Sequence, residues 1–303
     1  MITIFAIPKP FRGHIGMIQR NAIRSWTLLT PKCEIFLFGN DEGVAEVSAE
    51  FGLRHIPDVA CNEYGTPLLN DAFEKASELA SNELLCYVNS DIILMDDFMD
   101  AITRVAAVKK RFLLIGRHWK MDINQPLDFN SGWQSRLRES VKSRGHIETG
   151  WAMDYFVYRR QESFDMPPLA VGRPRWDNWL VYKARFFHLP VIDISEVVMA
   201  VHQNHDYSHV PKGSGFSFDG PEADANHETL IAHGEDKIYG FLDATHKLRP
   251  GGLRTVMGFD YLKRYLETVP TLHPKLSLLF FPLRLIITVT RPARIWLRKE
   301  SKK

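Results

Sequence analysis

Leu84-Leu85-Cys86-Tyr87-Val88-Asn89-Ser90-Asp91-Ile92-Ile93-Leu94 is an apolar run that stops at three small polar residues and then resumes. Five consecutive apolar residues without period-2 alternation suit a strand covered on both faces, and such strands belong to parallel sheets flanked by helices. In open α/β sheets the ligand lies beyond the carboxyl ends of the strands, which puts Asn89, Ser90 and Asp91 where chemistry would be done. A carboxylate and an amide two residues apart can point toward one hard cation that still has room for substrate phosphates. The plainer alternative is that Asp91 caps a turn, since Asp and Asn are common in turns for local reasons.

The rest of the chain narrows the choice. With 303 residues, 45% hydrophobic and 24% charged, it has room for one large α/β domain or two modest ones. A formal net charge of +2 gives no electrostatic signature of nucleic-acid binding. Cys33, Cys61 and Cys86 read as reduced residues, not as a disulfide framework or a zinc site. The sequence enters a strand at Ile2 without a basic leader, so a cytoplasmic location is expected.

Before Asp91, strands and helices alternate. Ile2–Ile7 is a strand ended by Pro8-Lys9-Pro10, and Ile15, Ile18, Ala22, Trp26 and Leu29 recur on one helical face until Thr30-Pro31. Cys33–Phe38 is a second strand. A helix follows over Val44–Phe51 with Gly52 as its C-cap, then a third strand over Leu53–Ile56. Thr66 as N-cap and Pro67 at the first helical position predict a helix whose buried face carries Leu68, Leu69, Ala72, Phe73, Ala76 and Leu79. After the organising strand, Asp96 is expected to cap a helix to about Val108, and Arg111–Ile115 is a further strand. Four strands joined by three helical crossovers describe a doubly wound, mostly parallel sheet.

This order, with Asn89-Ser90-Asp91 closing the fourth strand, resembles the nucleotide-sugar-binding half of the GT-A glycosyltransferases, over roughly the first two hundred residues. The combination of Asn70-Asp71 with Asn89-Ser90-Asp91 and Ile92-Ile93-Leu94 carries the likeness. The resemblance implies a metal-assisted transfer of sugar from a UDP- or GDP-linked donor to an acceptor hydroxyl, with Mn2+ or Mg2+ held by Asp91 and Asn89. It assigns Pro8 and Asp41 to the base and ribose, Asn70 to a further nucleoside contact, and Asn89, Ser90 and Asp91 to the donor diphosphate. Asn89 stands where the family's Asp-x-Asp motif has its first acid, which removes one negative charge and weakens the metal site.

The second half is less regular. Gly116-Arg117-His118-Trp119 follows the fifth strand, and a helix near Trp133, Leu137 and Val141 carries a basic exposed face. Asp154, in the apolar stretch from Gly150 to Tyr158, needs hydrogen-bonding partners, either an acceptor sugar hydroxyl or backbone groups. In Arg175-Trp176-Asp177-Asn178-Trp179, tryptophan faces suit sugar C–H surfaces and the carboxylate can take a proton from an acceptor hydroxyl. Asp177 also falls where the resemblance places the catalytic base. Its alternative is an N-cap with Trp179 in the core. Val197–Val201 reads as a strand leading into His202-Gln203-Asn204-His205-Asp206-Tyr207-Ser208-His209, whose spacing matches no closed zinc pattern. The resemblance makes His202 a third metal ligand and leaves His205 and His209 to phosphate, acceptor or no ligand. Pro211–Gly220 is a candidate lid or a simple linker.

Three segments result: 1–115 as the nucleotide-sugar-binding half, 116–265 as the acceptor-side half of the same domain, and 266–303 as a helical tail. The tail pairs an apolar run around Leu276–Ile287 with six basic residues, the first of them Arg291 and the last Lys303. It is either a peripheral membrane segment suited to a lipid-linked acceptor or a helix packed on the domain. The favoured function is a glycosyltransferase acting in glycan or glycolipid assembly. The alternatives are a sugar nucleotidyltransferase, which should have more glycines in the loop after the first strand, and a non-catalytic nucleotide-sugar or carbohydrate-binding protein.

Overall fold

The computed structural model describes residues 1–150, 152–205, 220–234, 238–273 and 275. The chain begins β1 (Ile2–Ala6), α1 (Gly13–Thr27), β2 (Glu34–Phe38), α2 (Val44–Phe51), β3 (Arg54–Ile56), α3 (Leu69–Leu79) and β4 (Leu84–Val88). There follow β5 (Ile92–Ile93), α4 (Asp96–Ala106), β6 (Leu113–Ile115), β7 (His118–Met121), α5 (Trp133–Arg144), β8 (His146–Ile147) and β9 (Tyr155–Arg159). The remainder is α6 (Trp176–Phe186), β10 (Val191–Asp193), β11 (Ala200–Gln203), α7 (Pro221–Ala232), β12 (His246–Arg249), β13 (Gly252–Thr255) and α8 (Phe259–Leu272).

Nine strands form one sheet in the order β13-β12-β10-β6-β9-β4-β1-β2-β3. It is the doubly wound, mostly parallel α/β architecture that the sequence predicts. β9 is a departure, since it inserts antiparallel between β4 and β6. Because the strands are covered on both faces, alternate residues feed two cores. Phe5, Leu85 and Tyr87 pack with α3 and α6 on one side. Ile4, Cys86 and Val88 pack with α1, α2 and α4 on the other. Phe5, Phe73 and Tyr87 stack edge and face at centroid distances of 5.1–5.4 Å, fixing α3 against the strands.

The organising stretch divides at its polar residues. Asn89 turns the chain, with the Ile92 N–H donating to the Asn89 carbonyl, and Ile92–Ile93 join a separate four-stranded sheet, β5-β11-β7-β8. The Trp26 indole N–H donates to the Ile92 carbonyl at 2.8 Å, so α1 holds this second segment in place. The small sheet brings β11, from far along the chain, beside the end of β4.

Several boundaries differ from the sequence reading. α3 starts at Leu69 and its N-cap is Leu68, because Pro67 and Leu68 are taken up in isolated bridges to Cys61 and Ala170. β11 spans Ala200–Gln203, so His202 lies within the strand and not beyond it. The boundary at 265/266 falls inside α8, where Leu266, Val269 and Leu272 are buried. Among the described residues no helix is long and apolar enough to cross a membrane. The basic end of the tail, the apolar run at 276–287, His209 and residues 211–219 of the candidate lid lie outside the described residues.

Candidate functional site

At the carboxyl end of β4 opens a cavity of about 380 Å³. The loop after β1 contributes Ile7, Pro8, Lys9 and Pro10, and the loop after β2 contributes Asp41. Gly65, Thr66 and Pro67 form a third side, and Val171, Gly172, Arg173 and Trp176 a fourth. Its floor carries Tyr87, Asn89, Ser90, Asp91, Asp154, His202 and His205.

Asp91 is the centre of the polar part. It is 6% exposed. Its carbonyl accepts from the Gln203 side chain at 3.0 Å, and Gln203 in turn donates to Ile18 and accepts from Asn21. That buried network locks β11 to the motif and to α1. His205 Nε2 is 3.1 Å from Asp91 Oδ2, and His202 Nε2 and Lys9 Nζ are each 3.9 Å from it. Burial alone raises the pKa of such a carboxyl; the opposing pull of His202, the hydrogen bond from His205 and the charge of Lys9 more than offset it, and Asp91 is held well below the usual carboxylate range.

Asp91 Oδ1 is one of the buried atoms with no hydrogen-bond partner among the described residues, as are Asp154 Oδ2 and His202 Nδ1 beside it. His205 Nε2 faces both the Asp91 carboxylate and the Lys9 ammonium, the latter at 3.3 Å. A single ring nitrogen cannot donate to one and accept from the other at once, so one of these contacts is always unmatched. A cation bound by the bare nitrogen and the carboxylate would relieve that conflict and partner the orphaned oxygen. The ligand atoms of Asp91, His202 and His205 lie within 4.8 Å of one another, so the donor set fits a divalent ion. One carboxylate with two imidazoles suits Mn2+ better than Mg2+, which prefers oxygen.

A second buried group stands beside it. Asp154 Oδ1 accepts from the Asn89 amide at 2.7 Å, the Asn89 N–H donates to the Asp154 carbonyl at 2.8 Å, and His118 Nδ1 lies 2.5 Å from Asp154 Oδ2. Burial raises the Asp154 pKa, but His118 brings it below the ordinary value. His118 also sits against His202, ring centroids 5.2 Å apart. Asp154 thus orients the Asn89 amide through Oδ1, while its Oδ2 is buried without a hydrogen-bond partner among the described residues.

Asp177 stands apart from both, since it does not line the cavity, although its neighbour Trp176 does. It lies half-buried in the first turn of α6, one residue past Trp176, and accepts from the Met153 N–H at 3.2 Å. Arg175, in a left-handed conformation, holds the N-cap position that the alternative reading gave to Asp177. Burial pushes the Asp177 pKa up to about 7, against the pull of the Met153 and Asn178 N–H groups.

Of the residues named from the sequence, Pro8, Asp41, Asn89, Ser90, Asp91, Asp154, Trp176 and His202 share the one cavity. Asn70 does not; it lines a separate cavity of about 420 Å³ with Tyr158, Arg160 and Met166, because its position on α3 faces away from the strand ends. Trp179 offers no acceptor surface: it is fully buried, its indole N–H donating to the Phe164 carbonyl at 3.0 Å. Asn89, expected as a metal ligand, donates its amide N–H to Asp154 at 2.7 Å and lines the same cavity, while among the acidic and imidazole groups His205 joins Asp91 and His202. Lys9 and His118 went unnamed as site residues. Lys9 had one signal, a cation fixed between two prolines at a strand end; His118 had none beyond its place after β6.

No protein-family model matches this chain, and no curated protein matches it. Among solved structures, glucosyl-3-phosphoglycerate synthase from Mycobacterium tuberculosis, in complex with Mn2+, UDP and glucosyl-3-phosphoglycerate, is 13% identical with a TM-score of 0.47, over 77% of this chain and 79% of that one. S. aureus TarS 1-349, in complex with UDP-GlcNAc, is 13% identical with a TM-score of 0.46, over 69% of this chain and 60% of that one.

Proposed function

We propose that this chain is a glycosyltransferase that moves a sugar from a nucleoside-diphosphate donor, UDP- or GDP-linked, to an acceptor hydroxyl. The observation that carries the reading is Asp91: a carboxylate kept ionised at the end of the central strand, with an orphaned oxygen and two imidazoles around it, in a cavity large enough for a nucleotide. In this reading the diphosphate lies over Asn89-Ser90-Asp91, the nucleoside reaches toward Pro8 and Asp41, and the acceptor approaches past Trp176.

Asp91, His202 and His205 would hold a divalent cation. Such an ion, when bound, supplies positive charge to the diphosphate as the glycosidic bond breaks. The chain's own groups do the rest. Asp154 fixes the Asn89 amide, and through it the turn that presents Asp91. Asp177, with a pKa near neutrality, takes the proton of the attacking hydroxyl in an inverting displacement. Trp176, packed edge-on to Tyr87 at 5.0 Å, offers a rigid apolar face beside that base.

The test is release of nucleoside diphosphate from a panel of donor sugars, with and without Mn2+. The expected result is turnover of at least one donor by the native protein and a loss of about a hundredfold in Asp91→Ala, the range for removing a charge stabiliser. Donor binding without release would indicate a non-catalytic binding protein. Equal turnover by the variant would end the assignment.

A further inference from the structure

We propose that Lys9 is a cation built into this site, and that its ammonium competes with a divalent metal for Asp91. The inference takes from the transferase reading only what fills the cavity; the competition is between two cations for one carboxylate.

Lys9 is placed with unusual care for a loop residue. Gln19, buried in α1, grips its backbone from both sides: the Lys9 N–H donates to Gln19 Oε1 at 2.7 Å and Gln19 Nε2 donates to the Lys9 carbonyl at 2.8 Å. The same Oε1 accepts the Ser90 hydroxyl at 2.7 Å. One amide thus ties the loop after β1 to the motif after β4. Pro8 and Pro10 restrict the backbone on either side. What remains free to move is the side chain, which keeps 30% of its surface exposed and opens on the cavity.

From that anchor the ammonium reaches the pair of atoms a metal would need. It lies 3.3 Å from His205 Nε2 and 3.9 Å from Asp91 Oδ2, themselves 3.1 Å apart. A dication on those two atoms and an ammonium at those distances repel strongly in a partly buried site. Lys9 must therefore swing away when metal binds, and the open direction is the cavity, where diphosphate oxygens would receive it. Without metal it stays on Asp91 and gives the site its positive charge. Asn89 fits this arrangement: burial lowers the Lys9 pKa, the negative charges of Asp91 and Asp154 oppose that, and the amide at 89 leaves these two as the carboxylates acting on the ammonium.

The test uses the metal-stripped full chain and Mn2+ alone, with free Mn2+ read by electron paramagnetic resonance. Lys9→Met is expected to bind Mn2+ about tenfold tighter than the native protein or more, the consequence of removing a unit positive charge some 4 Å away. Lys9→Gln, less apolar, should move the same way and serves should the first variant fold poorly by circular dichroism. Equal or weaker binding in the folded variants, or no binding by native and variant alike, overturns the proposal. A parallel titration of the native protein with nucleoside diphosphates separates the two claims: no response there, with Mn2+ still tighter in the variant, removes the transferase reading and leaves the competition standing.

Discussion

Asp91 and Asp177 are two carboxylates, one closing the central strand and lining the cavity, the other in the first turn of α6 beside the lining residue Trp176, and their surroundings push them in opposite directions. Asp91 is deeply buried, yet His202, His205 and Lys9 keep it ionised far below neutrality. Asp177 meets backbone N–H groups that do not offset its burial, and its pKa rises to about 7. The difference separates roles. A carboxylate that never takes a proton can hold a cation, and one that titrates near neutral pH can accept a proton during a reaction.

The comparison breaks most visibly at Asp177. Asp177→Asn should lower turnover by about a hundred- to ten-thousandfold, the usual contribution of a general base, while nucleoside-diphosphate binding stays unchanged in calorimetry. Joint loss of binding and stability would make it a structural residue. Its neighbour Trp179 should behave in the opposite way. Trp179→Ala is expected to destabilise the fold by about 3–5 kcal/mol, as for a large core side chain, measured by urea unfolding; a stable variant with weakened acceptor binding would return Trp179 to the site.

The pH dependence sharpens the contrast. Turnover should fall about tenfold per pH unit below about 7, where Asp177 holds its proton. Stability should move the other way. The folded state keeps this proton between the ordinary value of 3.8 and about 7 while the unfolded state has released it, so the Asp177 contribution to stability is present below that window and is lost as pH rises through it. Asp177→Asn should remove both slopes, read from pH–rate profiles and unfolding curves of the two proteins. The smallest effect is expected on the Asp91 side. Asn89→Asp places a carboxylate where an amide now donates to Asp154 at 2.7 Å; a fall of about 3 °C in Tm, corresponding to roughly 1 kcal/mol, reversed by Mn2+, would fit like charges awaiting a cation. A rise in Tm without metal would contradict it.

What the sequence revealed and what it hid follow from the range of the interactions. The run Leu84–Val88 reads as a doubly covered strand because both faces demand apolar residues, and so it is. The direction of β9 is invisible to that argument, since a covered antiparallel strand shows the same apolar run as a parallel one. Thr66-Pro67 carries a genuine helix-start signal, but the bridge between Cys61 and Pro67 overrides it. Trp179 illustrates the same limit from the other side, because nothing local distinguishes a tryptophan facing sugar from one facing Phe164. Lys9 and His205 are 196 residues apart, and only the small sheet, by carrying β11 back to β4, brings them into contact. The Asn-Ser-Asp motif was legible by chemistry; the cations around it depend on the fold.

If Asp91 holds a nucleoside diphosphate, ligand-induced stabilisation measures that directly. Thermal unfolding of the native chain and of Asp91→Ala should be followed with Mn2+ and each nucleoside diphosphate in turn. Ligand at about a hundred times its Kd adds about 2.7 kcal/mol to a folded state that alone binds it, so one nucleoside diphosphate should raise the native Tm by about 5 °C or more and leave Asp91→Ala unmoved. If none shifts the native protein, or if the variant shifts equally, Asp91 does not hold the diphosphate and the proposed function fails.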